Sequence, residues 1–246
     1  MLCELLLPKH VRKLRDELKR SPVVANIRLK ALRALFSWAV EEEDAPHDPT
    51  LGVKALKHVS KGFHSWELHE IEAFEKRHPV GSKARLAMTL LLYTACRRED
   101  VVRLGAQHVR DGRIRYRQAK NEHRNPVDLD IPMHPDLKAV IEATPSNHLT
   151  YLTTKHGRSF TPAGFGNRFR EWCNDAGLSH CSAHGLRKAA AARLAERGAT
   201  AHEIMAITGH RSLEEVERYT RAAQRGKLAD AAMLKFKRRT DAVPPE

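Results

Sequence analysis

The chain has 246 residues and a formal net charge of +13 at pH 7, from 43 Lys and Arg against 30 Asp and Glu. That length can bury a sizeable core, and so basic a surface attracts polyanions, nucleic acid first among them. Four cysteines without a Cys-x-x-Cys pair, fifteen histidines without metal-ligand spacing, and no apolar run long enough for a signal peptide or a bilayer span argue against a disulfide scaffold, a motif-encoded metal site and a membrane protein.

Residues 8–20 place Val11, Leu14 and Leu18 on one helical face. Ser21-Pro22 reads as an N-cap followed by proline at the first helical position. The helix it opens carries Ile27, Ala31, Leu35, Trp38 and Ala39 on one side, with Leu32 and Phe36 widening the stripe. An acidic run over 41–44 and the turn material Ala45-Pro46-His47-Asp48-Pro49 end it. Residues 54–62 are basic and thinly apolar. The expected division is 1–57 for a helical domain, 58–62 for a linker, 63–237 for a second domain and 238–246 for a disordered tail.

In the second domain Ser65 is expected to cap a helix through Ile71 and Phe74 that stops at Pro79. Residues 83–95, with Leu86, Met88, Leu90, Leu91, Leu92 and Tyr93, predict a buried core helix, and 98–104 a short one ended by Gly105. The period then changes to two. Asp111-Gly112 is a strong hairpin signal, after which Ile114 and Tyr116 alternate with Arg113, Arg115 and Arg117. Residues 126–131 repeat the alternation through Val127, Leu129 and Ile131, giving a small antiparallel sheet with one packed and one basic face, its second turn holding Lys120. Helices return at Thr161-Pro162, carrying Phe165, Phe169, Trp172 and Ala176 up to Gly177. An alanine-rich helix spans 184–197. Thr200-x-x-Glu203 is a capping box for a helix that Gly209 ends, and Ser212-x-x-Glu215 opens a helix with Tyr219 on its second turn. A further helical stretch is expected near 228–236. The fold class is mainly α with a small antiparallel β-sheet (α+β).

The last third brings together, in order, His184-Gly185-Leu186-Arg187, His210 and Tyr219, with Arg97 and Lys120 upstream. These are the groups that attack on a phosphodiester by a side-chain nucleophile requires. Keeping a phenol ionised at pH 7 costs on the order of 4 kcal/mol; cations lower that cost and an imidazole can take the proton as the oxygen attacks. Extra charge on the non-bridging oxygens suits the rigid forks of Arg97 and Arg187. A lysine on a hairpin tip can protonate the departing oxygen. Asp100, three residues after Arg97, could orient its guanidinium. Each residue alone has a plainer reading: a helix-terminal histidine, a solvated charge, a half-buried packing tyrosine, a surface lysine.

The ordered set Arg97, Lys120, His184-x-x-Arg187, Gly209-His210 and Tyr219 resembles the signature of tyrosine recombinases, the phage-integrase family. Thr94-Ala95-Cys96-Arg97-Arg98-Glu99-Asp100 resembles that family's Thr-Gly-x-Arg-x-x-Glu box, with Asp100 in the acidic position. Ile207-Thr208-Gly209-His210-Arg211-Ser212 resembles its Leu-Gly-His-Ser stretch. The likeness covers residues 61–223, and 32–40 resemble the end of the family's core-DNA-binding domain. The resemblance implies double-stranded DNA as partner, a 3′-phosphotyrosyl intermediate on Tyr219, no metal or other cofactor, four protomers on two paired sites with the 228–236 segment docking on a neighbour, and a cytoplasmic, nucleoid-associated location. It also implies catalysis by Arg97, Lys120, His184, Arg187, His210 and Tyr219; the basic 85–124 stretch and the basic sheet face make Arg98, Arg113, Arg115, Arg117 and Arg124 expected DNA contacts. With 62 residues ahead of Phe63, the chain is expected to start inside the core-binding domain and to clamp DNA weakly. A catalytically silent DNA-binding relative and a type IB topoisomerase-like enzyme that nicks and reseals both stay open.

Overall fold

The computed structural model describes residues 5–58, 62–120, 122–144 and 146–236, with the backbone alone at 222–228 and 231. It divides into two compact units, 1–62 and 63–246. The expected tail over 238–246 and most of the expected linker lie outside the described residues. Among those residues no helix is long and apolar enough to cross a membrane.

The first unit holds α1 (Pro8–Asp16) and α2 (Pro22–Glu41), each with proline in its first turn, where a missing N–H costs nothing. Val11, Leu29 and Val53 form its core, with Leu6 and Leu32 against it. The α2 face differs from the expected stripe. Ala25, Leu29, Phe36 and Ala39 are buried, whereas Ile27, Leu35 and Trp38 are 62%, 52% and 52% exposed. α2 is apolar around most of its circumference, so period alone cannot choose a face; Val11 and the 53–56 segment choose it. Asn26 fixes that segment with both ends of its amide, donating to the Leu56 carbonyl (2.9 Å) and accepting the Leu56 N–H (2.8 Å). Arg33 adds a bond to the Val53 carbonyl at 2.6 Å.

The second unit opens with α3 (Leu68–Arg77) and α4 (Lys83–Thr94). α3 begins later than expected and is capped at Glu67, not Ser65, because Trp66 stays extended to donate from Nε1 to the Ser182 carbonyl at 2.9 Å. α4 is the central helix, with Leu86, Met88, Leu90 and Leu91 fully buried, each contributing about 1.5–3 kcal/mol of burial. α5 (Arg98–Val101) is shorter than the 98–104 expected. The sheet has the order β1 (Val109–Arg110), β2 (Arg113–Arg117), β3 (Asp128–Pro132), all antiparallel. Asp111 and Gly112 both take positive φ, +51° and +69°, as a tight primed hairpin turn requires. Ile114 faces Ile131 and Tyr116 faces Leu129 across the ladder, which covers the core.

The outer face is not the bare basic surface expected. Asp128 and Asp130 of β3 sit opposite Arg117 and Arg115 and form ion pairs with Arg113 (2.6 Å), Arg115 (3.3 Å) and Arg117 (2.7 Å). Helix α6 (Pro135–Glu142) follows, an element the sequence reading did not anticipate. Then come α7 (Pro162–Asp175), α8 (Ala183–Glu196), α9 (Ala201–Thr208) and α10 (Leu213–Leu234). Thr161, Ser182, Thr200 and Ser212 cap these four with their side chains. The 228–236 stretch is the continuation of α10, not a separate helix.

Candidate active site

α4 ends at Thr94, and Ala95 turns the chain in the left-handed region at φ +48°. Glycine adopts that conformation freely; alanine pays on the order of 1 kcal/mol. The turn places the Ala95 carbonyl where Arg187 Nη1 donates to it at 2.5 Å. Arg187 stands on the second turn of α8 with 3% exposure, and its Nη2 is buried with no protein partner among the described residues. A guanidinium nitrogen so placed is a donor held ready for an anion. Burial, then the neighbouring Arg97 charge, lowers the Arg187 pKa to about 10, so it stays charged at neutral pH.

Arg97 precedes α5 and donates from Nη1 to Gln118 Oε1. Gln118, a buried residue the sequence reading missed, also donates from Nε2 to the Thr208 carbonyl at 3.0 Å. It thereby links the Arg97 loop to the end of α9, packed against Gly209, where any added Cβ would meet its Nε2 at 2.3 Å. Only its position two residues before Lys120 hinted at a role.

Asp100 acts on backbone rather than on the guanidinium expected. Its carboxylate accepts the Ala119 N–H at 2.7 Å and the Arg97 N–H at 3.3 Å. It therefore fixes the loop of Arg97 and the residue before Lys120 at once. Burial raises its pKa, while those amides and the charges of Arg97 and Arg187 oppose the rise.

His210 follows the left-handed Gly209 cap of α9. Thr208 Oγ1 donates to the Ile204 carbonyl (2.8 Å) and lies 2.7 Å from His210 Nδ1. With the hydroxyl donating to Ile204, the Nδ1–H tautomer satisfies the 2.7 Å contact and leaves Nε2 as an acceptor. Burial first, then Arg187, Arg97, His184 and Lys120, push the His210 pKa down to about 3. His184 is exposed, and Phe63 packs against its ring with centroids 4.7 Å apart and the planes tilted by 52°. Its pKa is lowered by burial, Arg187, Lys188, Arg97 and Lys120.

Arg97, Arg98, Lys120 and His184 line one cleft of about 610 Å³, together with Asn167 and Arg170. Lys120 is exposed at its edge. Tyr219, half-buried on α10, rests its ring on the Ala191, Ala195, Ile204 and Val216 cluster. Burial raises its pKa, and Arg187 and Arg218 lower it in opposition. Its hydroxyl has no hydrogen-bond partner among the described residues. The structure thus gathers the cations and imidazoles and sets the phenol within reach of the Arg187 charge, without engaging it. Arg113, Arg115 and Arg117 lie on the ion-paired sheet face, and Arg124 is exposed in the β2–β3 turn.

The pattern of the phage integrase family matches residues 63–225. The chain belongs to the phage integrase family. Tyrosine recombinase XerC of Salmonella typhi is 24% identical over 210 residues, covering 81% of this chain and 69% of that protein. Lambda integrase residues 75–356, solved as a dimer bound to a COC' core site, matches with a TM-score of 0.77 at 18% identity, over 88% of this chain and 80% of that one. A lambda integrase tetramer bound to a Holliday junction gives 0.74 at 18% identity, over 87% of this chain and 64% of its own. These structures share the fold.

Two expectations follow from how this phage integrase family member holds its loops. Asp100→Ala leaves two backbone amides without their acceptor and should cost roughly 2–4 kcal/mol, read from the urea midpoint; Asp100→Asn, keeping one acceptor, should lose less. Equal stability of wild type and the Ala variant would remove the loop-joining role. For His210, the unfolded chain takes up a proton below about pH 6.5 that the folded protein refuses. The stability this contributes is whole above pH 6.5 and is lost as pH falls toward the folded value. From pH 7 to pH 5 the DNA-free protein should lose on the order of 1–2 kcal/mol from this group. Melting curves of His210→Gln should show a visibly flatter pH slope; an unchanged slope would contradict the assignment.

Proposed function

We propose that the protein is a site-specific DNA recombinase that cuts and rejoins strands through Tyr219. The phenolic oxygen attacks a DNA phosphate, the bond to the 5′-oxygen breaks, and a 3′-phosphotyrosyl link and a free 5′-hydroxyl result. Attack by the 5′-hydroxyl of another strand reverses the step and restores the tyrosine. One phosphoester replaces another, so no external energy source is required. Arg97 and Arg187 hold the non-bridging oxygens, His184 and His210 bind the phosphate and relay the phenolic proton, and Lys120 protonates the leaving oxygen.

The observation that supports this reading best is the buried, unpartnered Nη2 of Arg187, held among Arg97, Lys120, His184 and His210. Such a cluster of cations suits a phosphate. Arg98, facing the same cleft, and Arg124 contact flanking phosphates. Arg113, Arg115 and Arg117 do so while shared with Asp128 and Asp130, and so contribute less to the salt dependence of binding. The protein acts on double-stranded DNA as a tetramer across two sites, in integration or excision of mobile DNA, with the exposed Met233, Leu234 and Phe236 docking on a neighbour.

The test is a half-site with a nick beside the scissile phosphate, taken from DNA flanking the gene, so that the short fragment carrying the freed 5′-hydroxyl diffuses away and the covalent adduct accumulates. Adduct supports the recombinase. Sequence-specific binding without adduct would leave a silent DNA-binding relative, and supercoil relaxation without exchanged product would favour topoisomerase-like chemistry.

A further inference from the structure

We propose that His64, Glu70, His180 and Cys181 form a binding site for one zinc-class divalent metal ion, outside the catalytic cleft. Each offers one ligand atom, and the four atoms lie within 4.8 Å of one another. Tetrahedral zinc with bonds of about 2.0–2.3 Å spaces its ligands roughly 3.3–3.8 Å apart, so small side-chain shifts close the shell. The donor set is two imidazoles, a carboxylate and a thiol. Calcium and magnesium call for oxygen alone, whereas zinc, or cobalt in its place, takes this mixture.

Glu70 is the centre. It is 3% exposed, and its carboxylate lies 2.7 Å from His64 Nε2 and 2.5 Å from His180 Nε2. The Cys181 Sγ lies within 4.8 Å of the same carboxylate, and the Glu67 N–H donates to Oε2 at 2.7 Å, which fixes its orientation. The imidazoles are on the open side, with side chains 34% and 55% exposed, giving an ion a path to the buried thiol and carboxylate. On binding, the thiol proton leaves to solvent and any proton on either Nε2 moves to Nδ1 or to solvent, so that both Nε2 lone pairs face the ion.

Such an ion would join two segments 110 residues apart, the entry to α3 and the loop before α8. The same segments already meet through Trp66 and Ser182 and through Phe63 on His184. The ion would thus act as a staple on the helix that carries His184 and Arg187. The inference stands apart from the recombination reading, since it concerns binding alone.

The test uses the full chain, stripped by a chelator and titrated with Co²⁺ and then Zn²⁺. One equivalent of Co²⁺ with a thiolate-to-cobalt absorption band, displaced by Zn²⁺, together with a zinc-dependent rise in Tm, is the expected result. Cys181→Ser should lose the band, and His180→Gln, altering an exposed residue, should weaken affinity at least about tenfold, since even residues that only support metal ligands cost that much. No stoichiometric binding by the wild type, or a band that survives in Cys181→Ser, would overturn the site and leave Glu70 as a hydrogen-bonded clamp.

Discussion

Tyr219→Phe is expected to abolish the covalent adduct on the nicked half-site altogether, while DNA affinity stays within about twofold and stability within about 0.5 kcal/mol. The separation follows from how the residue sits. Its ring packs on Ala191, Ala195, Ile204 and Val216, contacts that phenylalanine keeps. Its hydroxyl has no partner among the described residues, so removing it leaves nothing buried and unpaired. Burial raises the phenol's pKa, so the resting protein holds it protonated and the nucleophile must be made at the moment of attack. In the proposed reaction the Arg187 charge, which already opposes that rise, would stabilise the phenolate while an imidazole takes its proton. A denaturing gel of the trapped complex beside a gel shift of the same variant decides the matter. Adduct persisting in the Phe variant would move the nucleophile elsewhere and end the assignment.

What the sequence made legible was local. The core helix α4 announced itself by Leu86, Leu90 and Leu91, the hairpin by Asp111-Gly112, and the start of α9 by Thr200 and Glu203, because each signal acts within one turn of chain. The misses were choices made by partners distant in sequence. α2 offers apolar residues on two sides, and Val11 and Val53 selected Leu29 over Ile27 and Trp38. The basic face of β2 could be read from alternation, but its neutralisation depended on register with β3, which alternation does not supply. Asp100 was readable as a partner of Arg97, yet its partners are the amides of Arg97 and Ala119. The order of Arg97, Lys120, His184, Arg187, His210 and Tyr219 was legible as a resemblance. Thr208, though inside the stretch around His210, gave no sign that it would contact that ring. Gln118, which holds Arg97, carries no motif. Nor do Glu70 and Cys181, whose proximity exists only after folding.

Arg187 separates catalysis from stability most sharply. Arg187→Met should slow strand cleavage by about 100- to 1000-fold, the usual cost of one preorganised donor, and yet raise the melting temperature of the DNA-free protein. A fall in pKa from 12.5 to about 10, caused first by burial and then by the Arg97 charge, corresponds to a folded-state penalty on the order of 3 kcal/mol for holding this charge. Methionine removes the charge and the orphaned Nη2 and fills the same space. The Ala95 carbonyl loses a donor, at about 1 kcal/mol, so a net gain of roughly 1–2 kcal/mol remains. Arg187→Lys should lose nearly as much rate without that gain, because an ammonium keeps the charge and gives up the two-pronged geometry. The DNA-free protein would then hold electrostatic strain that a bound phosphate relieves, and binding would be driven partly by that relief. Cleavage rates on the half-site and thermal melts of both variants test it. If the methionine variant melts lower than wild type, Arg187 is chiefly a strut between α8 and the Ala95 turn, and its slow cleavage reflects a damaged fold rather than a missing donor.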